Sequence, residues 1–437
     1  MDDDDRVRIH LLLGRTRGGR AAGRHPWACR LTHDPYAALR QRNYRHYALG
    51  WFTSVVGVAI TDVAVGWEVF QRTREPFALA LVGLVQALGM IAVLPAGHVA
   101  DRFSRRTLLV ASMIGVMVAN VGLAVVSFTQ ADVWMMFALL LLSALSASLG
   151  RPARTAMLPR IVGRGAFPNA VTWNQSLFQV AVVVGPVAGG LVMAHHQPSA
   201  YLISAGCCAL FIASLVLIRV DTRPDAAERP LPLIASLREG LTFLGRNRLL
   251  PVIMSLDMFA VLLGSAVILM PVFADEILHV GARGNGMLKA APGAGALVTA
   301  LWLAHRPPMR RAGWNLLIAV GVFGVATIAF GLSRAFWLSM LAMVVAGASD
   351  CVSVVIRHTL VQTLTPDSMR GRVSAVNHVF IGSSNELGAF RAGTVAGWFG
   401  PVFSVVSGGI GTLCVVVVTA CASKQLRQLR DLHAREA

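Results

Sequence analysis

Charge is what this sequence has least of. Only 14% of its 437 residues are Asp, Glu, Lys or Arg, against about 25% in soluble domains. With 55% of the residues apolar, that scarcity excludes a disordered chain and an ordinary soluble enzyme. Lysine is almost missing, two residues against 37 arginines, a bias expected of a GC-rich bacterial genome. There are six cysteines, five inside apolar runs and Cys29 near the N-terminus. No C-x-x-C or Cys/His ligand spacing occurs, so neither a disulfide framework nor structural zinc is expected. The G-x-x-x-x-G-K-[ST] phosphate loop is missing, which excludes ATP as the energy source. No Ser/His/Asp or Cys/His constellation supports an enzyme. The pair His195–His196 has no third ligand in sequence reach and reads as solvated loop residues. No metal and no cofactor are expected.

What is present is a series of long apolar runs. Twelve approach the roughly 20 helical residues that cross a hydrocarbon core: Tyr47–Phe70, Phe77–Gly97, Thr107–Phe128, Trp134–Leu149, Ala170–Met193 and Tyr201–Ile218, then Leu250–Phe273, Gly286–Leu303, Trp314–Leu332, Phe336–Ile356, Val373–Trp398 and Pro401–Ala422. Backbone groups in lipid must be satisfied within the segment, so these are helices, numbered here spans 1–12. The reading is an all-α membrane protein of two six-helix halves, 34–220 and 249–422. A cytoplasmic linker rich in proline and charge occupies 221–248. Residues 1–33 read as a disordered basic extension, because Leu11–Leu13 is too short for a signal-peptide core. Residues 423–437 read as a cytoplasmic tail.

Orientation follows from basic residues. With both termini in the cytoplasm, 33 of the 39 Lys and Arg fall in cytoplasmic segments, as the positive-inside rule requires. The other six are Arg72, Arg74, Arg283, Lys289, Arg334 and Arg391. The net charge of +17 therefore needs no nucleic acid as partner. Trp67, Trp134, Trp337 and Trp398 are expected at the outer interface, and Trp51 and Trp314 at the inner one.

A weak repeat links the halves. Arg154 and Arg357, Gly185 and Gly388, and Gly190 and Gly393 are each 203 residues apart, while Asp62 and Asp257 are 195 apart. Two related six-helix halves with a site between them near the midplane are a transporter design. Between spans 2 and 3 the chain reads Gly97-His98-Val99-Ala100-Asp101-Arg102-Phe103-Ser104-Arg105-Arg106, which closely resembles the G-x-x-x-D-R-x-x-R-R loop of the major facilitator superfamily. Span 5 carries Gly185-Pro186-Val187-Ala188-Gly189-Gly190, similar to the GPxxGG motif of its exporters. Arg154–Pro159, Leu256–Ala260 and Ser384–Gly388 look like its siderophore-exporter branch.

That resemblance covers about Asp34 to Ala422. It implies a monomeric secondary transporter in a bacterial cytoplasmic membrane, which exports a small organic molecule against a flow of protons. Two other readings stand beside it, a metabolite importer of the same fold and a non-transporting membrane receptor or scaffold. The resemblance also assigns a cytoplasmic gate to Gly97, Asp101, Arg102, Arg105 and Arg106, with Asp101 docking on the start of span 11. The second-half counterpart near His305–Arg311 lacks the Asp, and span 4 lacks the mid-membrane Arg of many drug/proton antiporters.

A charge at the centre of a span costs about 2.5–3.5 kcal/mol on insertion scales, so charged residues there need a partner or water. Asp62, Asp257, Asp350, Glu386 and its neighbour Asn385, and Arg391 are the candidates for the cavity and for proton coupling. Asp350 and Arg357 share one helix face seven residues apart and are expected to pair. Gly185, Pro186, Gly189 and Gly190 are expected to give tight packing, with Pro186 bending its span.

Overall fold

Among the residues described in the computed structural model, 34–91, 104–218, 233–247, 249–306, 309, 311–366 and 369–429, every regular element is a helix. The chain divides at Tyr36. Of the first unit only 34–36 are described, and there the Tyr36 amide donates to Asp34 Oδ1 at 3.0 Å. The described helices belong to the second unit, Ala37–Ala437. The extension 1–33 and the gate residues Gly97, Asp101 and Arg102 lie outside the described residues.

Among the described residues, ten helices are long and apolar enough to cross a membrane. They are Arg42–Thr73, Arg105–Thr129, Val133–Gly163, Gly165–Met193, Gln197–Leu217, Leu250–Ile277, Gly281–Ala304, Ala312–Leu332, Phe336–Leu364 and Pro401–Ala422, in the places of spans 1, 3–10 and 12. The helix Pro76–Ile91 begins span 2. Span 11 is Arg370–Phe399, whose Arg370, Arg372, Glu386 and Arg391 lower its apolar character. Spans 4 and 10 outrun their apolar cores, because a helix continues into water wherever its residues favour one. Span 4 ends only at Gly163, whose φ of +68° suits a residue without a Cβ. Through Pro186 the backbone stays helical. The linker is not all loop, since Leu233–Arg246 is a helix whose Glu239 pairs with Arg372 of span 11 at 2.7 Å.

Packing differs at the two ends of the bundle. At the far end, opposite Arg42 and Ala422, one apolar cluster runs through both halves, from Ile60, Phe70, Leu79 and Met136 to Phe273, Leu288, Phe330 and Met343. At the terminal end the cores are separate. One cluster holds Tyr44, Leu109, Met157 and Phe211 of the first half. Two others hold Ile253, Leu316 and Leu360, and Leu244, Met254 and Val376. Trp67 is 6% exposed and belongs to the shared core rather than to an interfacial belt. Trp51 lies under Arg154, whose guanidinium is 4.1 Å from its ring centre. Trp134, Trp337 and Trp398 are well exposed at the far end.

Glycines bring the far ends together. A Cβ on Gly190 would meet the Gly286 Cα at 2.8 Å, and one on Gly393 would meet the Ala80 Cα at 2.8 Å. Both are contacts between halves, of span 5 with span 8 and of span 11 with span 2. Gly185 instead meets Ala59 on span 1, and Gly388 meets Val261 on span 7. The Ser204 hydroxyl donates to the Gly57 carbonyl at 2.8 Å, and the Thr412 hydroxyl to the Ala260 carbonyl at 3.1 Å. Gly57 and Ala260 are again 203 residues apart, so the counterpart of Asp257 is Ser54. The 195-residue pairing of Asp62 with Asp257 is a coincidence of sequence.

Candidate functional site

Span 7 is broken where it enters the apolar core shared by the halves. Its first helical run, Leu250–Gly264, gives way at Ser265 to extended backbone with ψ 111°, then to a short 3-10 turn at Val267–Leu269 and a π turn at Phe273–Ile277. A break in a span strands carbonyls that lipid cannot satisfy. Arg391 supplies the donors from span 11. Its Nε donates to the Leu262 carbonyl at 2.9 Å, and its Nη2 donates to that of Leu263. A cation at a helix C-terminus also suits the dipole. Gly408 lets span 12 approach the same carbonyl. The apolar run around Gly264 gave no hint of the break.

Next to it lies a group of charges drawn from both halves. Lys289 on span 8 donates to the backbone carbonyl of Asp62 on span 1 at 2.8 Å, and its ammonium and the Asp62 carboxylate attract each other. Glu386 on span 11 feels both the Asp62 carboxylate and the Arg151 guanidinium toward the terminal end of span 4. Asp62 is exposed while Thr61 and Val63 beside it are buried. It therefore borders accessible space between the halves rather than the packed core. Lys289 falls within span 8 as read from the sequence, yet it is absent from the sequence candidates for the cavity. Its signal was visible, as one of only two lysines in a chain of arginines.

Residues on one face of span 5 form a polar stripe. Thr172, Gln175 and Ser176 are exposed and Gln179 is half-buried. Their spacing of three, one and three puts them on a single helix face, a pattern readable in the sequence but overlooked there.

Other charged residues have structural partners. Arg357 and Asp257 form an ion pair between spans 10 and 7, with residue exposures of only 2% and 6%. This overturns the expected Asp350–Arg357 pair, because a partner on a neighbouring helix is closer than one two turns along. Asp350 is half-buried and in no ion pair among the described residues. The Asn385 amide donates to the Ile381 carbonyl of its own helix at 3.0 Å. Glu68, absent from the sequence candidates, is fully buried. It pairs with Arg72 one turn on and accepts from the Tyr201 hydroxyl at 2.8 Å. Arg72 also donates to the Ala131 carbonyl at 2.8 Å, which ties spans 1 and 6 to the 3–4 connection. The spacing of four from Glu68 to Arg72 was its signal.

At the terminal end, Arg105 donates to the Ala156 carbonyl at 3.0 Å. Arg106 donates to the carbonyls of Val216 and Ile218, at 2.6 and 3.2 Å. These two arginines thus bind span 3 to the ends of spans 4 and 6. At the far end Arg74 pairs with Asp275 across the halves. His195 is held through Nδ1 at 2.9 Å from the Leu191 carbonyl. No cluster of three or more metal-binding side chains occurs among the described residues.

Helical runs at the places of the twelve spans, in two repeated halves that share one apolar core and bring charged residues together, define among the described residues a membrane transporter of the major facilitator fold. Residues 33–436 match the family MFS_3, transmembrane secretion effector, and the chain belongs to that family. It is 26% identical over 393 residues to the enterobactin exporter EntS of Escherichia coli O1:K1 / APEC, covering 89% of this chain and 93% of that one. The EntS of Shigella boydii serotype 18 (strain CDC 3083-94 / BS512) matches at 26% over 392 residues, with the same coverage. Among solved structures, a D-xylose–proton symporter superposes with a TM-score of 0.63 at 15% identity, over 88% of this chain and 97% of that one. A bacterial homologue of the human lysosomal transporter Spinster, inward-facing and occupied, gives 0.65 at 14%, over 87% and 95%. These two likenesses concern the fold.

Proposed function

We propose that the protein is a proton-coupled exporter of a small polar organic molecule of the siderophore type, acting as a monomer in a bacterial cytoplasmic membrane. Both termini and the linker 221–248 are cytoplasmic in this reading. The terminal end, where the cores of the halves stay separate, is then the open cytoplasmic side. Export is supported by the family's description as a secretion effector and by the enterobactin exporters it resembles.

The observation that carries the coupling reading is the cross-half group of Asp62, Lys289 and Glu386. A carboxylate that faces accessible space in a low-dielectric surround can take up and release protons as the halves rock. Cargo enters along Thr172, Gln175, Ser176 and Gln179, whose side chains offer donors and acceptors. Asp101, by the family resemblance, secures the closed cytoplasmic side when the far end opens.

The test uses everted membrane vesicles and radiolabelled enterobactin. Uptake driven by an acid interior and abolished by an uncoupler is the expected result. Uptake that ignores the proton gradient removes the coupling reading. Uptake only into right-side-out vesicles makes the protein an importer.

A further inference from the structure

A second basic site lies away from the transport path, at the terminal end beside span 9. There a cleft of about 440 Å³ is lined by Arg311, Trp314, Arg427, Gln428 and Leu429. The backbone after span 12 shapes it. Ser423 leaves the helix and its hydroxyl accepts from the Leu426 amide at 3.2 Å, which starts the single turn Lys424–Arg427. Leu426 is fully buried, with its carbonyl against Gly313. A Cβ on Gly313 would come within 1.8 Å of that oxygen, so the approach needs glycine. On the other wall Arg311 holds a φ of +65°, in the left-handed region uncommon for a residue with a side chain.

The outcome is two guanidinium groups in one cleft. Arg311 and Arg427 are both exposed, and among the described residues neither is in an ion pair and no acidic side chain lines the space. Like charges held together repel unless an anion lies between them. The level of the cleft indicates which anion. Trp314 is 46% exposed and Trp302, at the end of span 8, is 55% exposed. The Arg306 guanidinium stacks 4.9 Å from the Trp302 ring centre. Exposed tryptophans at helix ends sit at the lipid headgroups.

We propose that this cleft binds the phosphate of an anionic phospholipid. The two guanidiniums grip its oxygens in the forked geometry that arginine provides, and Trp314 packs beside the glycerol. Basic pockets between spans on this side of a membrane hold headgroups in this way.

The experiment is native mass spectrometry of the purified full-length protein, titrated with dioleoylphosphatidylglycerol or dioleoylphosphatidylcholine. The unmodified protein should keep phosphatidylglycerol adducts in preference to phosphatidylcholine. Arg311→Gln with Arg427→Gln should weaken phosphatidylglycerol retention about thirtyfold, the worth of two arginines at a charged membrane surface. Because Arg311 with its left-handed backbone can matter for folding, Arg427→Gln alone serves as the second variant, and about a fivefold loss is expected. Equal retention of the two lipids by the unmodified protein overturns the proposal, as does undiminished phosphatidylglycerol binding in the double variant. Full displacement of the lipid by millimolar inorganic phosphate also overturns it, because the cleft then belongs to the free anion.

Discussion

Lys289 reaches from span 8 to the carbonyl of Asp62 on span 1, 2.8 Å away, and so fastens one half of the transporter to the other beside the carboxylate it attracts. A tie across the halves weighs on the balance between conformations only by the energy that differs between them.

Coupling should follow these residues. In everted vesicles, Asp62→Asn with Glu386→Gln should leave downhill movement of enterobactin intact and remove its dependence on the proton gradient. Lys289→Gln should reduce gradient-driven uptake about tenfold, the effect of one charge-assisted bond made in a single state. Full gradient-driven uptake in the Asp62/Glu386 double variant moves the coupling site elsewhere, with Asp350 next in line.

Asp257 should behave differently, as half of a buried pair. Replacing either Asp257 or Arg357 alone by Ala strands the other charge and should cost about 3–5 kcal/mol of stability. Asp257→Leu with Arg357→Met should recover most of that, since an apolar pair of similar volume is often neutral. Unfolding in detergent gives the cycle. Additive losses would show that the two side chains do not act as a pair.

Arg391 should prove a positioning residue for span 7. Arg391→Met leaves the carbonyls of Leu262 and Leu263 without their donors, at about 1–3 kcal/mol for each buried group left unsatisfied. Cysteine accessibility along Ser265–Leu269 should rise in that variant and return toward normal in Arg391→Lys. Unchanged accessibility in Arg391→Met sinks the idea.

Gly190→Val places its first side-chain atom against the backbone of Ala282 and Gly286, which cannot yield as a side chain can. The far ends should separate. Disulfide formation between Arg74→Cys and Asp275→Cys, which face each other in the parent, should drop several-fold, and stability should fall by about 1–3 kcal/mol from overpacking. Parental cross-linking would mean that this contact does not set the closure.

Much of this was legible in the chain. Apolar runs gave the places of the described spans, because lipid demands uninterrupted helical backbone there. Partners on other helices were not legible. Arg357 sits on the same face as Asp350 and invited that pairing, but Asp257 on span 7 is the residue it meets. The break at Gly264 was hidden because Val261, Leu262 and Leu263 before it, and Val267 and Ile268 after it, keep the run apolar. Arg391 reveals the break only once spans 7 and 11 are set side by side. Lys289 was passed over because it entered only the count of basic residues, and its contact with Asp62 of span 1 lies across the halves.

The crossing of Gly190 on Gly286 has a wider consequence. A joint built of main chain on main chain reads shape and nothing else. It is blind to the polarity, charge or size of side chains deeper in the bundle. Retuning the polar stripe of span 5 or the residues around Lys289 toward a different cargo would therefore leave the closing surface untouched. Side chains elsewhere in the bundle can vary while this crossing of main chain on main chain stays the same, so one scaffold accepts different lining residues without rebuilding the contact.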